Sequence, residues 1–101
     1  MTDRTDRTPL SREQVEKALS GLDGWRFDGD SLKRTYEFEH FREAISFIVR
    51  LAFEAESLNH HPELQNVYNR VDVSLTTHDA GNRVTQIDVA LARAIDQFSW
   101  T

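Results

Sequence analysis

The stretch from Phe41 to about Asn59 constrains this chain more than any other. Phe41, Ala44, Ile45, Ile48, Ala52 and Ala55 recur at helical spacing and make one apolar stripe. Phe47, Leu51 and Leu58 carry apolar surface onto a neighbouring face, more than a helix half-open to water needs. Pro62 stops the helix, because it cannot donate a hydrogen bond and biases His61 away from the α region. A long helix of this kind must be buried against another layer. Its width leaves surface for a second packing partner, within the fold or across a subunit interface.

The periodicity changes on either side. Upstream, Ser11 and Gln14 form an S-x-x-Q capping box, with Leu10 and Val15 placed for a hydrophobic staple. Val15, Ala18, Leu19 and Leu22 follow at helical spacing, and Gly21 with Gly24 ends this first helix. Trp25–Phe27 and Leu32–Phe38 flank the turn Asp28-Gly29-Asp30. Leu32, Arg34, Tyr36 and Phe38 alternate with Ser31, Lys33, Thr35 and Glu37, which predicts a hairpin. Downstream, a short strand through Val67 and Tyr68 precedes Val71, Val73 and Leu75, which alternate with Asp72, Ser74 and Thr76. His78 shares the polar parity at that strand's end. Thr85-x-x-Asp88 resembles a capping box, and Ile87, Leu91, Ala94, Ile95 and Phe98 form the stripe of a last helix. The order α-β-β-α-β-β-α buries these stripes as an α+β fold, a four-stranded antiparallel sheet with helices packed on one face. At 101 residues the chain holds one domain. Residues 1–8 read as a disordered polar tail and residues 9–101 as the single folded domain.

Composition removes whole classes of function. With 39% hydrophobic and 29% charged residues the chain is globular. The absence of cysteine excludes disulfides, thiolate nucleophiles and cysteine-held zinc or iron–sulfur clusters. A net charge of -5 argues against a direct grip on nucleic acid, which needs clustered Lys and Arg. No run approaches the roughly 20 apolar residues of a membrane span, and the start MTDRTDRT lacks the apolar core of a signal peptide. The expectation is a soluble, cytoplasmic domain whose distinctive minority is its four histidines.

Glu56 and His60 are i,i+4 neighbours, a spacing that lets a carboxylate orient an imidazole. His61 leaves the helix along a different vector before Pro62, and His78 comes from a strand end. Three imidazoles on diverging vectors suit a small ligand and proton transfer near neutral pH. The same residues also read more plainly, as a polar helix terminus and a surface i,i+4 pair. Asp88, third in its helix, is favoured there with no further role. Tyr68 reads as a core or interface aromatic, and His40 as a residue at the start of the long helix with no catalytic part. Zinc-type ligands are present, but adjacent histidines chelate awkwardly and neither H-E-x-x-H nor H-x-H occurs. No metal is expected.

Taken together, Glu56-x-x-x-His60-His61-Pro62, Tyr68, His78 and Asp88 resemble the signature of the pterin-4a-carbinolamine dehydratases. The block FEAESLNHHPELQNVYNRVDVSLTTHDAGNRVTQID, from Phe53 to Asp88, is similar to that family's central block. LSREQVEKAL, Gly24-Trp25 and DVALARAIDQF resemble its start and end, so nearly all of the chain beyond the tail is covered. The resemblance implies the same α-β-β-α-β-β-α fold and loss of water from 4a-hydroxytetrahydropterin to give quinonoid dihydropterin. That reaction recycles the pterin spent by aromatic amino-acid hydroxylases. It implies no cofactor, the pterin being the substrate. It also implies a catalytic set of His60, His61 and His78. In that set His60 and His78 form the acid–base pair around the 4a-hydroxyl, while His61 mainly positions substrate. Glu56 and Asp88 would support the cluster, and Thr76 and Thr77 would offer backbone groups to the pterin's amide edge. A homodimer or homotetramer is implied as well.

Two departures stand out against animal members. Asn59 replaces Asp beside the histidines and bears on their charge environment. Leu64 replaces Trp and removes aromatic area beside the pocket. Animal members also bind a homeodomain transcription factor, which implies a second reading as a protein-binding module that uses an exposed helical face and none of the histidines. A third is a relative of the same fold serving another pterin or molybdopterin pathway.

Overall fold

Ser11 caps the first helix, α1 (Arg12–Leu19), with the reciprocal box expected from the sequence. Its hydroxyl accepts from the Gln14 N–H at 3.1 Å, and Gln14 Oε1 accepts from the Ser11 N–H at 2.8 Å. The computed structural model describes residues 7–98. The far end of α1 differs from expectation. Ser20 closes it in right-handed geometry and Gly21 has no left-handed φ. Gly24, at φ 86°, instead turns the chain into β1 (Arg26–Asp28), and a Cβ there would meet Arg34 Nε at 2.8 Å. Only glycine suits both demands.

β1 pairs antiparallel with β2 (Ser31–Glu37) across Gly29 and Asp30, Asp28 standing opposite Ser31. After α2 (Phe41–Ser57) come β3 (Glu63–Val67), β4 (Arg70–Leu75), a single 3-10 turn (His78–Ala80) and α3 (Gln86–Phe98). The four antiparallel strands lie in the order β1-β2-β4-β3. Leu32 pairs with Leu75 and Tyr36 with Val71, so the alternating apolar residues of β2 and β4 share one face. The helices cover it: Ala44, Phe47, Leu51 and Ala55 from α2, and Leu91, Ala92, Ile95 and Phe98 from α3, join one core. Each fully buried leucine or isoleucine there contributes about 1.5–3 kcal/mol.

Two elements sit differently from the sequence reading. β3 starts at Glu63 and ends at Val67, leaving exposed Tyr68 in the turn at φ 55°, where Asn66 Nδ2 donates to the carbonyls of Tyr68 and Arg70. His78 is not part of a strand: β4 ends at Leu75 and His78 opens the 3-10 turn. Away from the histidines, Asp96 near the end of α3 gathers three donors. Trp25 Nε1 lies at 3.1 Å, Arg34 Nη1 at 3.0 Å and the Tyr36 hydroxyl at 2.9 Å. Arg34, on the apolar parity of β2, is thereby satisfied and stacks 4.4 Å over the Tyr36 ring. Among the described residues no helix is long and apolar enough to cross a membrane.

Candidate active site

The end of α2 separates two histidines that are adjacent in sequence. Leu58 closes the helix and Asn59 adopts a left-handed conformation, φ 52°. The Asn59 N–H then donates to the Glu56 carbonyl and the His60 N–H to the Ala55 carbonyl, both at 3.0 Å. These are the two bonds of a Schellman motif, and asparagine is among the few non-glycine residues that tolerate its left-handed position. The reversal at Asn59 turns His60 back into the fold, where it is 6% exposed. His61 stays outside.

The Glu56–His60 pair expected from i,i+4 spacing is therefore not formed, because α2 stops at Ser57 and His60 lies beyond its face. Glu56 Oε1 instead lies 3.1 Å from His61 Nε2, and both side chains are exposed. His60 Nε2 meets Asp88 Oδ1 at 2.5 Å. Asp88, in the first turn of α3, is wholly buried (0%). Its Oδ2 accepts from Thr77 Oγ1 at 2.8 Å and from the Thr85 N–H at 2.9 Å. A carboxylate so far from water is tolerated because its oxygens are matched by donors. The Thr85-x-x-Asp88 box is half formed: Asp88 caps the Thr85 N–H, while Thr85 Oγ1 takes the Ile87 N–H at 3.3 Å.

The loop after β4 brings in the third imidazole. Thr77 pairs with Arg83 as an isolated bridge, and its carbonyl accepts from Ala80 and Asn82 N–H at 3.1 and 3.0 Å. Both backbone groups of Thr77 are thus engaged inside the loop. Thr77 also lines the histidine cleft. Its side chain works behind the site, on Asp88. Thr76 is half-buried, with its hydroxyl on the Asp30 carbonyl at 3.2 Å.

His60, His61 and His78 line one cleft of about 330 Å³, with Asn59, Thr77 and Asp79 beside them. An adjoining space of about 340 Å³ shares His61, Pro62 and His78 and reaches Thr76. A larger open cleft of about 560 Å³ on the sheet, lined by Arg26, Lys33, Thr35 and Asp72 among others, has no histidine. Arg7 also lines the histidine cleft. The reading of residues 1–8 as a tail falls mostly outside the described residues. Nothing in its TDR repeat signals a place for Arg7 at the site. Thr85 was legible only as a cap, whereas the placing of Asn59 directly before HHP is a signal that local turn chemistry can read.

Known proteins resemble this chain over nearly all of its described residues. Residues 8–98 match the family model described as Pterin 4 alpha carbinolamine dehydratase. A relative from Opitutus terrae, provisionally named pterin-4-alpha-carbinolamine dehydratase, is 55% identical over 93 residues, 92% of this chain and 96% of its own. One of the same name from Rhizobium etli is 49% identical over 90 residues, 87% of this chain and 88% of its own. The crystal structure of a transcriptional coactivator/pterin dehydratase from Brucella melitensis matches with a TM-score of 0.84 at 41% identity, covering 89% of this chain and 97% of that one. A pterin dehydratase-like protein identified as a RuBisCO assembly factor in the alpha-carboxysome shares the fold, with a TM-score of 0.65 at 21% identity over 77% of this chain and 92% of that one. The chain belongs to the pterin-4-alpha-carbinolamine dehydratase family.

Proposed function

We propose that this chain removes water from 4a-hydroxytetrahydropterin to give quinonoid dihydropterin, by proton transfer within the His60–His61–His78 cleft. The carrying observation is the convergence of three imidazoles from two separate segments on one cleft, in a member of this family. The reaction breaks the C4a–O bond, sends a proton to the departing hydroxyl and takes one from a ring N–H, whose electron pair becomes a C=N bond. One water leaves and no electron is exchanged. Positioned imidazoles supply both transfers, typically worth about 10²–10⁴-fold.

In this reading His60 and His78 exchange protons with the pterin, while His61 positions it with Glu56 as its exposed partner. Asp88 orients His60 from behind, Thr76 lines the space for the amide edge, and Arg7 lines the cleft beside the histidines. No cofactor takes part. The physiological setting would be a cytoplasmic recycling of pterin spent by an aromatic amino-acid hydroxylase.

The active form would be a homo-oligomer joined through α2. Phe41, Ile45, Val49 and Phe53 are 55%, 38%, 51% and 70% exposed, one apolar residue every fourth position along the helix. The stripe is self-complementary: an antiparallel second copy sets Phe41 against Phe53 and Ile45 against Val49, as a two-fold interface requires.

The test follows decay of 4a-hydroxytetrahydropterin by ultraviolet absorbance. Purified protein accelerates it, with or without EDTA. Folded protein no faster than buffer would reject the activity. A rate lost with EDTA and restored by zinc would replace proton transfer with metal chemistry.

A further inference from the structure

We propose that Thr77 and Thr85 are positioning residues for His60, acting through Asp88 to hold its ring in one tautomer; this role rests on the dehydratase reading above. The direction of each hydrogen bond follows from counting protons. The single hydroxyl proton of Thr77 goes to Asp88 Oδ2 at 2.8 Å. In the 2.9 Å contact between the two hydroxyls Thr85 must then be the donor, and Thr85 Oγ1 in turn receives the Ile87 N–H at 3.3 Å. Every bond therefore points the same way, from the first turn of α3 toward the carboxylate, and the Thr85 N–H adds a second donor at 2.9 Å. The partial positive charge of the helix N-terminus works in the same sense.

A carboxylate held by these donors is purely an acceptor, so Asp88 Oδ1 takes the Nε2 proton of His60. Nδ1 then carries the free lone pair. Among the described residues Nδ1 has no hydrogen-bond partner, and His60 lines the cleft. His60 enters the reaction as the proton acceptor at Nδ1. The substrate's ring N–H proton moves to that atom, the N–H electron pair forms the C=N bond, and the C4a–O bond breaks. His78 supplies the proton with which the hydroxyl leaves as water. Thr77 and Thr85 touch nothing that reacts. Outer hydrogen-bond partners of this kind typically tune function by about 10–100-fold where they orient metal-bound histidines, and the same orienting logic applies to a proton acceptor.

The test combines long-range ¹⁵N–¹H NMR of the His60 ring with kinetics on Thr77→Val and Thr77→Ser. Wild type should show protonated Nε2 and unprotonated Nδ1. Thr77→Val should mix the tautomers and lower kcat about 10–100-fold with KM within about twofold, while Thr77→Ser restores both readouts. If Thr77→Val does not fold, Thr77→Ala takes its place. A wild-type ring protonated at Nδ1 overturns the proposal. So does a folded Thr77→Val with wild-type tautomer and kcat. A wild type that does not turn over pterin, but shows the Nε2–H tautomer lost in Thr77→Val, upholds the positioning role and rejects the dehydratase reading instead.

Discussion

Asn59 decides which histidine is inside. Its left-handed backbone costs a side chain with a branched Cβ about 1–2 kcal/mol, whereas glycine adopts it freely. Asn59→Gly should therefore keep stability and turnover near wild type. Asn59→Val should lose about 1–2 kcal/mol in urea denaturation and lower kcat as His60 swings off Asp88. Tyr36 ties stability to alkaline pH. Burial first, then the Asp96 charge, pushes its phenol above the ordinary tyrosine range. A raised folded-state value means the stability is complete below the unfolded value of about 10 and is lost as pH rises beyond it. The urea midpoint should fall between pH 9 and pH 11, and fall less in Tyr36→Phe. An equal fall in both proteins would remove Tyr36 as the cause.

At the scale of elements, most of the fold was legible because the signals are local. The Ser11–Gln14 box, the alternation of Leu32, Tyr36, Val71 and Val73, and the stripe of α2 each state their own period and termini. What escaped depends on distance or on a single dihedral. A left-handed Asn59 and a 3-10 turn at His78 override the i,i+4 and strand parities that would extend α2 and β4. Spacing therefore paired Glu56 with His60, while the fold pairs His60 with Asp88 from α3. No local pattern names that partner, because it depends on the packing of α3 against the exit of α2. The same holds for Asp96, whose three donors come from the α1–β1 connection and β2.

For the whole molecule, small size and the bare stripe of α2 belong together. A chain of 101 residues buries only a modest share of its surface, so association through Phe41, Ile45, Val49 and Phe53 would complete its core. Phe53→Glu should convert an oligomer to monomers in light scattering after gel filtration; a wild type that is already monomeric would contradict this. Proton transfer among the cleft histidines is tested by the dehydration assay on wild type and His78→Ala. His78 is exposed and opens a surface turn, so its loss should leave the thermal midpoint unchanged. Wild type should turn over rapidly, with kcat about 10²–10⁴-fold lower in His78→Ala. A His78→Ala protein as fast as wild type, or a folded wild type no faster than buffer, would contradict this.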